Sequence, residues 1–340
     1  MQIRKYSVLA KNFAGPKHPI DESYAELRFL RFAAAGDEEG AAALFREKKM
    51  FFDEPCAVDM PYGRFEGPDG IRECVRGFRA RFHADSAEVV PVIQTRSGGR
   101  SVTELEVHFT VDGMIEMVPM FVVADLRTKD LLEEVRVYCH CSYVPDLQAY
   151  RKPMFTPAHL EMGDPGLLTG AVREYYEALH HVPGTDVERV LACCQPDCLF
   201  GGYTPVTEEE YAEAGGPMTP ERVAAAQAHM NEAYNRMREY IPSGVGMRYE
   251  TIIDDGVTGI IEWVHIVTEK GRDEYGRIAL SGIAAYERGE EGLLCSIRIS
   301  DYAWLENTID WSRTGTTLEE AQKVNLVKEF PAGCGRKPQH

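Results

Sequence analysis

Residues 52–71 read FDEPCAVDMPYGRFEGPDGI, and the order of signals in this stretch sets the architecture. Cys56 to Met60 is a short strand-like run, Pro61-Tyr62-Gly63 turns the chain, and Gly67-Pro68 opens a helix expected to reach Phe82. Upstream, residues 21–50 read as two helices: Ala25, Phe29 and Phe32 fall at helical spacing, and Gly36-Asp37 breaks the pattern. Downstream the period changes to two. Leu105, Val107, Phe109 and Val111 alternate with Glu104, Glu106, His108 and Thr110, and similar runs follow at 115–126 and 131–143. Helices followed by a meander of strands give an α+β fold with an antiparallel sheet.

The order then begins again. Arg151 to Pro165 has the Pro, Gly and Asp content of a linker. A helix over 170–182 ends at Pro183-Gly184-Thr185-Asp186, a second carries Val187, Val190, Leu191 and Cys194 on one face, and a short strand follows at Cys198 to Phe200. Strands are expected at 248–254, 258–269, 277–287 and 293–302. The expected organisation is a first domain over 1–150, a linker over 151–164 and a second domain over 165–306. The second domain carries a helical insertion at 203–247, read either as a lid or as a solvated decoration. A tail over 307–340 holds one helix behind the capping box Thr317-x-x-Glu320.

At 340 residues the chain suits two cores rather than one. Its net charge of −17, without a basic stripe, speaks against nucleic acid and anionic membrane as partners. The first residues, MQIRKYSVLAKNF, lack the apolar run of a secretory signal. Nine cysteines without a C-x-x-C motif fit reduced thiols, and a cytoplasmic location is the expectation. In Cys139-His140-Cys141 strand alternation sends His140 to the opposite face from both thiols, so no metal is expected there.

The 52–71 stretch resembles the strand-turn-Gly-helix signature of SnoaL-like cyclases and ketosteroid isomerases, members of the nuclear-transport-factor-2-like superfamily. LLCSIRISDYAWLE, residues 293–306, resembles the superfamily's last strand, where an aspartate precedes a short apolar helix. The resemblance implies two cystatin-like cones in tandem, each with helices packed on a strongly bent sheet around an apolar cavity. It also implies pairing through the convex sheet faces, here as an intramolecular pseudo-dimer or a homodimer.

Strand parity puts Leu105, Val107, Phe109, Val122, Ala124, Val135, Val137 and Cys139 on the cavity face of the first domain. The isomerase tyrosine position looks like Phe29, the base position falls on Met60 and the second acid position on Val122, so this domain is read as non-catalytic. A one-residue bulge would be needed to turn Asp59 inward.

In the second domain Tyr176 matches the tyrosine position and His180 lies one turn further along. Ile261, Trp263 and His265 share a strand face, as do Ile297, Ile299 and Asp301, and Asp301 matches the family's last-strand acid/base. The reading is a cofactor-independent lyase or isomerase of a small apolar carbonyl compound. Asp301 and His265 form its acid/base pair, Tyr176 is the electrophilic donor and His180 a second proton donor. Trp263, Ile261, Ile297, Ile299 and Phe200 contact the substrate. The alternative is a non-catalytic protein that holds a small molecule in its cones.

Overall fold

Leu27, Leu30 and Ala34 recur at the spacing of a helix face, and with Phe29 and Ala33 they form the buried stripe of α1 (Ala25–Ala35). Gly36 ends this helix with φ 78°, a left-handed conformation that glycine adopts without a Cβ penalty. In the computed structural model, which describes residues 2–7, 9, 19–47, 55–140, 143–145, 164–181, 185–202, 205–214, 217–240, 246–267 and 278–300, a short α2 (Glu38–Ala42) follows. The Asp37 side chain caps it by accepting from the Gly40 amide.

Described residues up to 145, together with 205–214, fall in one compact unit; those from 164 to 202 and from 217 to 300 fall in a second. Strand β1 (Gln2–Lys5) opens the first unit. After α2 come β2 (Ala57–Met60), β3 (Gly63–Glu66), α3 (Gly67–Arg81), β4 (Ser86–Ser97), β5 (Arg100–Val111), β6 (Met114–Thr128) and β7 (Leu131–Tyr138). The sheet order is β3-β2-β7-β6-β5-β4, with β1 parallel to β6. β2 runs parallel to β7, and the meander from β4 to β7 is antiparallel.

The second unit contains α4 (Gly170–Leu179), α5 (Val187–Ala192) and β8 (Cys194–Gly202). After α6 (Glu208–Glu213), which falls in the first unit, it resumes with α7 (Pro220–Tyr240), β9 (Gly246–Asp254), β10 (Thr258–Val267), β11 (Ile278–Arg288) and β12 (Leu294–Ser300). Its sheet order is β8-β12-β11-β10-β9, again with the first short strand parallel to the last. The four long strands therefore sit within a few residues of their expected places.

The first core joins α1, α3 and one face of the sheet. Leu105, Val107, Phe109, Val122, Ala124, Val135, Val137 and Cys139 all belong to it, as the alternation requires. The ladder of β2 with β3 is unbroken and no bulge turns Asp59 inward: Val58 and Met60 enter the core, and Asp59 pairs with Arg64 instead.

The expected 203–247 insertion divides. Val206 bridges to Tyr6 and the Tyr211 ring of α6 lies 5.1 Å from that of Tyr6, both within the first unit. In contrast α7 packs on α5 and β8 and sends Met230 and Tyr234 into the core of the second unit. The expected linker and the capping-box helix lie almost wholly outside the described residues. No helix among the described residues is long and apolar enough to cross a membrane.

Candidate functional site

The second unit orients its interior by clamping the start of α4. Asp254, at the end of β9, accepts from the Thr169 amide at 2.8 Å and its hydroxyl at 3.0 Å. Arg288, at the end of β11, pairs with Asp254 at 2.6 Å and donates to the Thr169 carbonyl at 2.6 Å. Burial raises the Asp254 carboxyl, but the Arg288 hydrogen bond and the amides of Gly256 and Thr169 outweigh it and hold the group below its usual range. One turn along, Val172 sits over Gly259 of β10 so closely that a Cβ there would lie 2.6 Å from Cγ1 of the valine. Clamp and glycine together fix the axial position and rotation of the helix.

With that phase set, Val172, Tyr175, Tyr176 and Leu179 form the buried face of α4. Tyr175 reaches furthest into the polar part of the core. Its hydroxyl lies 2.8 Å from that of Tyr234 on α7, and its ring meets that of Tyr286 on β11 at 4.8 Å. The Tyr234 ring in turn meets that of Phe200 of β8 at 5.4 Å in a tilted contact, and Phe200 contacts His229 at 5.5 Å. Ile261 and Ile297 are buried in this cluster and Ile299 and Phe200 pack against it, so the three isoleucines lie on the core face that strand parity gives them. The alternate positions carry charge: Glu262 and Glu287 are fully buried, and Glu287 pairs with Arg298 at 2.7 Å.

Burial pushes the phenols of Tyr175 and Tyr234 well above their ordinary value, so both remain protonated across the accessible pH range. Two phenols hold two protons, and their mutual hydrogen bond uses one. The other has no hydrogen-bond acceptor among the described residues, which leaves a neutral, desolvated donor inside an apolar core. Such a donor stabilises a developing oxyanion without having to reorganise solvent.

Tyr176 is 8% exposed and belongs to the same core. The His180 ring stacks on it at 4.3 Å, and His180 Nδ1 donates to the Tyr176 carbonyl at 2.8 Å. In a neutral ring this bond puts the proton on Nδ1 and leaves Nε2 as an acceptor, so His180 needs a second proton before it can serve as the expected donor. His265 pairs through its backbone with Leu280 and Met247, and Trp263 with Gly282 and Tyr249, but their side chains, like all of Asp301, lie outside the described residues.

Among the described residues no group of three or more His, Cys, Asp or Glu side chains is placed to hold a metal. The thiols beside the core are poor nucleophiles. Burial pushes Cys193 up to about 11 and Cys295 up to about 12, and a hydrogen bond with Cys194 together with burial raises Cys198 further.

In each unit a pair of helices leads to a short strand that lies parallel to the last strand of an antiparallel meander, with a further helix over the open side. This is the α+β order of helices and strands that the sequence resemblance leads one to expect. No family model and no curated protein matches the chain. Among solved structures it is similar to a nuclear-transport-factor-2-like protein of unknown function from Cytophaga hutchinsonii, at 13% identity over 37% of this chain and 96% of that one, TM-score 0.27. A protein from Shewanella putrefaciens described as a SnoaL-like polyketide cyclase is 11% identical over 37% of this chain and 91% of that one, TM-score 0.29. A protein from Catenulispora acidiphila with a ketosteroid isomerase-like fold, crystallised with trimethylamine, is 15% identical over 32% of this chain and 83% of that one, TM-score 0.27.

The sequence reading missed Tyr175, Tyr234 and Tyr286. Tyr175 was legible as the residue three positions after Val172 on an amphipathic helix, and Tyr234 as the residue four after Met230. That the two hydroxyls meet depends on a helix packing that no local pattern encodes.

Proposed function

We propose that this chain is a cofactor-independent lyase or isomerase of the SnoaL-like kind, acting on a small apolar carbonyl compound in the second of two tandem cones, with the first cone non-catalytic. The observation that carries the reading is the buried Tyr175–Tyr234 pair, at 2.8 Å inside the aromatic and aliphatic core of the second unit. The spare phenol proton binds the substrate carbonyl. A base removes the α-proton, the C–H electron pair moves into the carbonyl, and the enolate oxygen is held by the phenol. Return of the proton at the γ-carbon moves a double bond; loss of a β-hydroxyl with the proton releases water. His265 and Asp301 are the proposed base and its orienting carboxylate, and Tyr176 and His180 border the same core.

The test uses cyclohex-3-enone and 3-hydroxycyclohexanone with the full chain, followed by NMR in deuterated water. Wild type is expected to accelerate isomerisation or dehydration with solvent exchange at the α-carbon. Asp301→Asn should abolish turnover, and Tyr234→Phe should lower kcat by about 10²–10³-fold, the loss typical of one oxyanion donor. Binding of either ketone without exchange would replace the catalytic reading by the ligand-holding one. Full activity in Asp301→Asn would remove the acid/base assignment.

A further inference from the structure

Two polar atoms of the first unit are buried without a hydrogen-bond partner at one place in the fold: the hydroxyl oxygen of Tyr62 and Nε of Arg81. Tyr62 sits in the turn between β2 and β3, and Arg81 is the last residue of α3. The guanidinium carbon of Arg81 stands 5.5 Å from the centre of the Tyr62 ring. Cys74 of α3 and Cys139, just past β7, are both fully buried and close enough to act on the phenol electrostatically. The hydroxyl therefore faces the interior side of the unit. The Phe65 ring meets Tyr62 edge-on at 6.1 Å and adds an apolar wall.

Five other arginines of this unit have carboxylates, and Arg79 donates to the backbone carbonyl of Asp85. Arg64 pairs with Asp59, Arg72 with Glu39, Arg76 with Glu38, and both Arg100 and Arg136 with Asp125. Arg81 has no ion pair with any described residue, and the nearby turn offers it an aromatic face instead of an anion. Unsatisfied buried donors are costly and uncommon, and two of them beside one unpaired cation ask for an acceptor that carries negative charge. Burial pushes the Tyr62 phenol well above its ordinary value, so it stays neutral and donates alongside the guanidinium. A carboxylate matches this set: it accepts from a guanidinium edge and from a hydroxyl at once. The thiols and the phenyl ring suit an organic body better than a hydrated inorganic anion.

We propose that Tyr62 and Arg81 form a binding site in the first unit for a small organic carboxylate, separate from the chemistry proposed for the second. The probe is 4-fluorobenzoate, titrated against the full chain by fluorine NMR, with 4-fluorobenzyl alcohol as its uncharged counterpart. Wild type should bind the carboxylate more tightly than the alcohol, and Arg81→Gln and Tyr62→Phe should each weaken carboxylate binding by about tenfold or more, the scale of one charge-assisted hydrogen bond. Tyr62→Phe removes only an unsatisfied hydroxyl, so its thermal midpoint should equal or exceed that of wild type; it remains a folded reporter even if Arg81→Gln loses structure. Equal affinity of wild type and both variants would place the probe elsewhere, including in the second unit, and overturn the assignment. So would equal binding of acid and alcohol, or no binding at millimolar concentration.

Discussion

Removing one hydroxyl of the Tyr175–Tyr234 pair tests the second unit at its most constrained point. The two oxygens lie 2.8 Å apart, and both residues are at most 1% exposed. Tyr234→Phe keeps the ring contacts with Tyr175 and Phe200 and strands the Tyr175 hydroxyl in an apolar site, at a cost of about 1–3 kcal/mol. Tyr175→Phe should cost a similar amount, because it strands the other hydroxyl. The double replacement leaves no orphan, so its destabilisation should fall short of the sum of the singles by about 1 kcal/mol or more. For domains of about 150–250 residues each kcal/mol moves the thermal midpoint by about 2–4 °C, so each single variant should melt several degrees below wild type, and the double variant at or above them. Urea unfolding by intrinsic fluorescence reads the transition of the C-terminal part of the chain, where the three tryptophans, Trp263, Trp304 and Trp311, fall in the sequence. Strictly additive losses would refute the pair, because they would mean that each hydroxyl is satisfied independently.

Two further outcomes probe the scaffold. Gly259→Ala should cost about 1–3 kcal/mol, because its Cβ would meet Val172 at 2.6 Å and push α4 off β10; an unchanged urea midpoint would show that the helix is not held there. Asp125 lies between Arg136, 2.7 Å away, and Arg100. Burial raises its carboxyl, but the two arginines outweigh burial and hold it well below the usual range. A folded-state pKa below the unfolded value of about 4 contributes stability that is complete above that value and lost as the pH falls through and below it. Asp125→Asn should therefore cost about 3 kcal/mol near neutrality, with the gap to wild type narrowing below about pH 4. A gap that stays constant from pH 7 to pH 3 would contradict the ion pair.

The secondary-structure order was legible because its two periods differ so plainly. Glu104 to Val111 can only be an alternating strand, although Glu104 and Glu106 on its charged face are buried as well, and α1 only a helix with one apolar stripe. Parity, with the core face taken from the resemblance, then placed Ile261, Ile297 and Val137, since an alternating strand between an apolar and a charged face has one admissible register. Strand β1 was not legible: QIRK has no apolar alternation, and its pairing with Met114 to Glu116 on β6 is decided by a partner more than a hundred residues away. α6 was illegible for the same reason. Its acidic first turn reads as a solvated insertion, and contacts with the distant Tyr6, the Val206 bridge and the Tyr211 ring, tie it to the first unit.

The candidate site divides along the same line. Consecutive helix residues differ by about 100° in direction, so Tyr175 and Tyr176 cannot both point at one partner. The structure decides through contacts remote from either tyrosine: the Asp254–Arg288 clamp on Thr169, and the missing side chain at Gly259 that lets Val172 approach β10. These fix the phase in which Tyr175, rather than its neighbour, meets Tyr234. The aim of the Tyr175 hydroxyl is thus set by Gly259 and the Asp254–Arg288 pair rather than by the residues next to it in sequence. The resemblance points to Tyr176, whereas the hydroxyl that meets Tyr234 belongs to Tyr175 on the same helix turn. The Tyr175→Phe and Tyr176→Phe variants separate the two: if the phenol pair is the donor, the first loses both stability and turnover, and the second retains the Tyr175–Tyr234 hydrogen bond and most of the rate.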